Sequence, residues 1–216
     1  MDKLIIFIGM PGCGKGTQAD LICEEFGYEL LSVGQLLRSY IEDIDDEKKT
    51  DSTSQTIKSC IEKGLLIPDD ITNKIVQDNI KSGKSYILDG YPRSLNQADF
   101  LDDVSTHKKI FIYLKVDEEV LLDRILARIQ CKNCLKTYSS HNIDIENFSC
   151  DKCGYKSFSV RKDDNKKILE DRIKEFNNKT LPVIELYKKL DVLDVVNASE
   201  DIQIVNKNIK NIINKY

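Results

Sequence analysis

The sequence predicts an α/β fold built on a parallel sheet of five strands, and three observations predict it. Short β-branched runs alternate with longer stretches of helical period. The runs are mainly apolar, as strands covered on both faces are. The first run passes directly into a glycine-rich turn and then into a helical pattern, the order in which a strand, a tight turn and a crossover helix begin such a sheet.

Taken in order, the expected strands are residues 4–8, 29–32, 85–88, 110–114 and 192–196. The expected helices are 15–26, a region after Gly34, 69–81, 96–102, 118–129, a long one over about 165–190, and a last one from 200. Two stretches interrupt this rhythm. Residues 41–56 (IEDIDDEKKTDSTSQT) are acidic and polar with no obvious apolar face, and are expected to form a solvated loop between helices. Residues 130–162 carry paired cysteines, Gly154 and many polar side chains, which cannot continue the sheet and are expected to form a small inserted subdomain.

The bulk numbers set limits. A chain of 216 residues suits one compact domain with small appendages. The net charge of −4 argues against a general nucleic-acid binder. No apolar run approaches the roughly 20 residues that cross a bilayer. Residues 4–8 are too short for a signal peptide and lead straight into the glycine-rich turn, so no membrane partner and a cytoplasmic location are expected. Of seven cysteines, Cys13, Cys23 and Cys60 stand alone and are expected in core or loop positions.

The turn after the first strand reads GMPGCGKGT over residues 9–17 and nearly meets the phosphate-loop pattern, with Gly16 between Lys15 and Thr17. Glycines let several backbone N–H groups face one anion, and the helix starts there with the positive end of its dipole. Lys15 adds a full charge and Thr17 a hydroxyl. At the end of the third expected strand stands Asp89, where open parallel sheets bind ligands, placed to hold magnesium through water. Arg93 follows Pro92, which stiffens the turn that aims it.

Cys131 and Cys134, then Cys150 and Cys153, form two C-x-x-C pairs fifteen residues apart, the spacing of a structural zinc site with four thiolates. Four thiolates leave no open position for catalysis. Gly154 suits a knuckle turn after the second pair; Leu135, after the first, does not.

Together GMPGCGKGT, LSVGQLLR, GLLIPDD, LDGYPRSLNQAD, the double C-x-x-C and RKDDN recur over residues 4–172 in an order that resembles the adenylate kinase family, in the form with a zinc-binding lid. The resemblance implies a P-loop nucleoside monophosphate kinase fold with two inserted mobile subdomains. The core would be 1–31, 68–126 and 165–216, the acceptor-binding region 32–67 and the zinc lid 127–164. It implies reversible transfer of the terminal phosphoryl of ATP to AMP, giving two ADP, with magnesium, as part of purine nucleotide homeostasis. The implied partners are ATP, AMP and ADP, bound by a monomer.

The family's site residues carry over as follows. Lys15, Arg93, Arg161 and Arg172 would be catalytic, the last two clamping the transferring phosphoryl. ATP would meet Gly12, Cys13, Gly14, Lys15, Gly16 and Thr17, with Thr137 and Tyr138 at its base or ribose. Arg124 and Arg128, four apart and so expected on one helix face, would also serve ATP. AMP would meet Val33, Arg38, Leu65, Leu66, Ile67, Gly90, Tyr91, Pro92, Arg93, Arg161 and Arg172, and Gln97 would read its base, because an amide both donates and accepts. Two departures from the family pattern stand out: Val33 replaces a usual threonine, and Gln35 a usual aspartate. The polar stretch before Gly64 is also longer than in compact bacterial members. Only His107 and His141 are histidines, both expected at the surface, which fits a reaction that needs no strong base. Two other readings are a UMP/CMP kinase on the same scaffold, against which Gln97 argues, and a non-enzymatic zinc-ribbon module binding nucleic acid, which the acidic total disfavours.

Overall fold

The computed structural model describes residues 2–47 and 51–216. Its centre is β1 (Lys3–Ile8), whose run KLIIFI is buried from Leu4 onward. Strand periodicity sends Leu4, Ile6 and Ile8 to one face and Ile5 and Phe7 to the other, and each set enters a separate apolar cluster. That double burial is why the run shows no polar alternation.

β3 (Tyr86–Asp89) and β4 (Lys108–Lys115) flank β1. β2 (Glu29–Ser32) and β8 (Leu193–Asn197) close the edges, giving a five-stranded sheet in the order β2-β3-β1-β4-β8 with every pairing parallel. The register sets Phe7 beside Asp89 and Ser32 beside Asp89. The turn after β1 and the carboxylate ending β3 therefore emerge together at the carboxyl edge.

One face is covered by α1 (Lys15–Phe26) and α9 (Ile202–Lys215), which bring Ala19, Ile22, Val205, Ile209 and Ile213 onto Ile5 and Phe7. The other is covered by α2 (Val33–Glu47), α3 (Ser52–Lys63), α4 (Asp69–Asn79) and α5 (Leu95–Val104). α6 (Glu118–Leu126) follows β4, and α7 (Lys166–Glu175) and α8 (Leu181–Lys189) precede β8.

Four expectations are corrected. Residues 41–56 are not a loop: α2 runs to Glu47 and α3 starts at Ser52, while residues 48–50 lie outside the described residues. Asp51 caps α3 by accepting from the Ser54 amide, and Ile41, Ile57 and Ile61 pack on the core from either side of the acidic run. The helix expected over 118–129 ends at Leu126, and β5 (Arg128–Cys131) begins two residues later, so Arg124 and Arg128 do not share a helix face. The long helix over 165–190 is interrupted by a π-helical turn, Phe176–Thr180. Pro182, in the first turn of α8, cannot donate to the preceding turn and its ring crowds the carbonyl four residues back, which widens the backbone there. Finally, Leu135 takes the left-handed conformation (φ 60°) that Gly154 takes after the second cysteine pair (φ 73°), despite its Cβ.

Residues 130–162 do fold apart from the main sheet. β5 pairs antiparallel with β6 (Thr137–Ser139) and β7 (Phe158–Ser159) in a three-stranded sheet. Tyr138, Phe148 and Phe158 pack edge-to-face and tilted over it, with centroids 5.0 to 5.8 Å apart. No helix among the described residues is long and apolar enough to cross a membrane.

Candidate active site

The turn between β1 and α1 opens onto a cavity of about 780 Å3 that runs from α2 and the end of α3, past the turn, to the inserted sheet. Gly12 has φ 82°, and a Cβ there would come 2.8 Å from Ile125 Cγ1, so this position takes no side chain without displacing α6. Cys13 is 1% exposed and anchors the turn in the core beneath it. Gly14 caps α1 in the left-handed region, leaving the first amides of the helix, from Lys15 to Thr17, directed at the cavity. Lys15 Nζ lies back over the turn, donating to Gly9 O at 2.8 Å and Met10 O at 3.0 Å, and is 3.5 Å from Cys13 Sγ. Among the described residues its charge is thus held by two carbonyls and a thiol of its own turn, with no carboxylate.

Asp89 accepts from Ser32 Oγ at 3.2 Å through Oδ2, while its Oδ1 is buried and meets no protein donor. A buried carboxylate oxygen with an open lone pair, beside a phosphate turn, suits a hydrated cation. Gly90 (φ 80°) turns the chain away from Asp89, and its carbonyl accepts from Arg93 Nε at 2.8 Å. A Cβ on Gly90 would meet a terminal nitrogen of Arg93 at 2.8 Å, so the glycine makes room for the guanidinium. Tyr91 is buried and donates to Asn73 Oδ1 and Gln97 O, and Pro92 follows it in a cis peptide.

Arg38, Arg93, Arg128, Arg161 and Arg172 all line this one cavity. Burial lowers the Arg38 guanidinium and that of Arg93, and neighbouring arginines lower both further. Burial, then Arg38 and Arg128, push Arg161 down to about 9, still cationic at neutral pH. Among the described residues Arg38 makes no hydrogen bond or ion pair. Arg161 holds only neutral partners, Gln130 Oε1 and Thr137 Oγ1. Two buried carboxylates answer part of this charge. Asp164 takes Arg128 through both oxygens, and Asp163 takes a terminal nitrogen of Arg172. Burial alone would raise Asp163, but Arg172, Arg38 and Arg161 hold its carboxyl below the ordinary range.

One wall of the cavity is formed by Val33, Leu65, Leu66, Ile67 and Gln97. Val33 is buried in the core as well as lining the wall, so its methyls serve packing there. Gln97 is held at both ends of its amide: Nε2 donates to Asp69 Oδ1 and Thr72 Oγ1, and Oε1 accepts from the Arg93 amide at 2.7 Å. Arg124 does not share a helix face with Arg128; it lines the same cavity and donates to Ala198 O at 2.8 Å. Thr137 and Tyr138 line the insert side, but the Tyr138 hydroxyl is turned to Asp151 and to Cys150 Sγ, 3.1 Å away. Neither histidine lines the cavity: His107 is half-buried and His141 exposed.

The four paired cysteines meet. Cys131 and Cys153 sulfurs are 3.6 Å apart, those of Cys134 and Cys150 are 3.4 Å apart, and all four lie within 4.8 Å of one another. Ligands at ~2.3 Å from a central zinc would be ~3.8 Å apart, so this cluster fits one tetrahedral ion. The knuckles repeat each other: Cys131 N donates to Lys136 O as Cys150 N does to Tyr155 O, and Leu135 N to Cys131 O as Gly154 N does to Cys150 O. Cys13 is buried and Cys23 and Cys60 are half-buried.

Sequence reasoning passed over Asp163, Asp164, Asp69, Thr72 and Ser32. The first two carried a signal, since adjacent acids inside RKDD sit among arginines; the others come from elements far away in sequence and carried none.

A protein-family model described as adenylate kinase matches residues 7–192. Among curated relatives, the adenylate kinase of Rickettsia bellii is 36% identical, covering 97% of this chain and 98% of its own length. That of Rickettsia prowazekii is 37% identical with the same coverage, and that of Rickettsia conorii 35%. Adenylate kinases act on ATP, AMP and ADP and use magnesium with ATP. With a family match over most of its length and relatives aligned from end to end, the chain belongs to the adenylate kinase family and is a nucleoside monophosphate phosphotransferase.

Proposed function

We propose that this cavity carries the terminal phosphoryl group of ATP to AMP, giving two ADP, with the two nucleotides entering from opposite ends. The observation that supports it best is the convergence of five arginines and Lys15 on one cavity, with three of the guanidiniums lowered by desolvation and by neighbouring arginines. Such a space is electrostatically complementary to facing polyphosphate and phosphate groups, and phosphoryl transfer is largely a matter of positioning and charge neutralisation.

On this reading the amides of residues 12–17 and Lys15 hold the donor phosphates, Lys15 exchanging the Gly9 and Met10 carbonyls for phosphate oxygens. Arg38 and Arg93 hold the acceptor phosphate. Arg161, whose hydrogen bonds go to neutral groups, Arg128, tethered by Asp164, and Arg172, paired with Asp163 and more distantly with Asp164, span the transferring group. Asp89 would hold magnesium through water, and the ion would neutralise charge developing between the donor phosphates. Gln97 reads the acceptor base, and Arg124, near Ala198 and Ile202, faces the donor base. Residues 32–67 and 127–164 serve as closing parts over the core 1–31, 68–126 and 165–216, excluding water as a competing acceptor. Cys131, Cys134, Cys150 and Cys153 would hold a structural zinc that supplies cross-linking and no chemistry. The net charge of −4 supports free nucleotides rather than nucleic acid as partners.

A coupled assay with ATP and each of AMP, GMP, UMP and CMP tests this. AMP should give the highest kcat/KM, and Gln97→Ala should erode its lead. A parent preference for UMP or CMP would replace this reading with pyrimidine phosphorylation.

A further inference from the structure

We infer that Asp69 is a specificity-determining positioning residue: it fixes which way round the Gln97 amide faces, and so makes the acceptor site select an amino over a keto group on the base. The inference rests on the reading above that Gln97 meets the acceptor base.

Gln97 is 2% exposed, on the first turn of α5, with its backbone amide held by the cap residue Ser94. A primary amide has two hydrogens to donate and two lone pairs to accept with. Both hydrogens are used, one on Asp69 Oδ1 at 2.7 Å and one on Thr72 Oγ1 at 3.1 Å. Oε1 uses one lone pair on the Arg93 amide at 2.7 Å. The hydrogen-bonding capacity left for a ligand is therefore one acceptor lone pair. An exocyclic amine satisfies it, whereas a carbonyl oxygen at the same place would face it repulsively.

The direction of the amide is what matters, and the partners set it unequally. Thr72 Oγ1 donates its one hydrogen to the Asp69 carbonyl oxygen at 3.1 Å, but a hydroxyl can turn that hydrogen to a reversed amide at the cost of this single bond, so it resists reversal less than a carboxylate does. Asp69 carries a carboxylate that only accepts, and its second oxygen is tied by Ser94 Oγ at 2.8 Å. Turning the Gln97 amide over would press Oε1 against Asp69 Oδ1 and Nε2 against the Arg93 N–H. Asp69→Asn removes the first of these penalties, because an asparagine amide can offer its own N–H to a reversed Gln97. The reversed amide would then present a donor to the cavity, which suits a keto group.

AMP and IMP separate the effect from size and shape, since they differ chiefly in a 6-amino against a 6-keto group. The experiment measures kcat/KM with ATP, and calorimetric Kd, for both nucleotides with the parent, Asp69→Asn, Thr72→Val and Gln97→Ala, each checked for folding by thermal unfolding. The AMP:IMP ratio should fall roughly tenfold in Asp69→Asn, the worth of one hydrogen bond to a charged group. It should stay near the parent value in Thr72→Val, and the KM for ATP should not change in either. If Gln97→Ala collapses the ratio while Asp69→Asn leaves it unchanged, or if Thr72→Val lowers it as far as Asp69→Asn does, Asp69 does not set the direction. If Gln97→Ala itself leaves the ratio unchanged, the base-reading role of Gln97 is what fails.

Discussion

Arg128 and Asp164 join the two ends of the inserted segment: Arg128 Nε donates to Asp164 Oδ2 at 2.7 Å, and a second guanidinium nitrogen donates to Oδ1. Arg128 opens β5 and Asp164 closes the insert just before α7, so the pair clasps its neck. The Asp164 side chain is 0% exposed, which places both charges largely out of water.

Removing one partner of such a pair leaves a buried charge unanswered. Asp164→Ala should therefore cost about 3 kcal/mol of stability. Replacing both partners, with Arg128→Met and Asp164→Leu together, should cost less than the single change. Urea unfolding of the three variants checks the order, and a double variant less stable than Asp164→Ala would contradict it.

Asp163 links stability to acid. Its folded pKa lies below the ordinary value of about 3.9, so its contribution is fully present above that pH and is lost as pH falls through the lower folded value. Asp163→Asn should flatten the acid limb of the stability profile below about pH 4. Urea midpoints measured from pH 6 downward should show parent and variant converging; parallel curves would mean Asp163 is not held low.

Lys15 contacts only two carbonyls and a thiol of its own turn. Lys15→Ala should lower turnover roughly a hundredfold or more while shifting the melting temperature by only a few degrees. Near-parental turnover at saturating ATP and AMP would remove the phosphate-loop assignment. Arg161→Lys should be damaging too, since a point charge does not reproduce a fork of donors.

Protein purified without added metal should carry about one zinc per chain. Cys150→Ser should release it and loosen the insert while the main sheet stays folded, seen as a lower first unfolding transition and retained far-ultraviolet dichroism. Metal-free protein with four reactive thiols would end the zinc proposal.

Leu135 holds φ 60° without being glycine, a conformation that costs a side chain about 1–2 kcal/mol. Leu135→Gly should slow loss of metal to a chelator, because the first knuckle would then close without strain. Faster loss would show that the leucine's contacts with the cavity wall outweigh its backbone cost.

Much of this was legible in the chain, for local reasons. β1, its turn and α1 are contiguous, and period, glycines and Lys15 all pointed the same way. Arg128 was misplaced because LLDRILARI keeps helical spacing through Ile129, while the pull of the inserted sheet, which decides the matter, comes from residues 137–139 and 158–159. The end of α2 and the start of α3 were hidden because the run over 41–56 is mostly acidic and polar, while the anchors of α3, Ile57 and Ile61, stand just beyond it. The grip on Gln97 was invisible for a plainer reason: Asp69 and Thr72 lie 28 and 25 positions away.

The crowding of Arg38, Arg93 and Arg161 has a consequence for the protein as a material. Three cations that repel one another across one cavity are eased by any polyvalent anion that fills it, so such an anion stabilises the whole chain by mass action. The heat resistance of this protein is therefore a joint property of the polypeptide and its surrounding solution. In a cell it would rise and fall with the nucleotide pool, and in chloride buffer it would register the chain at its weakest.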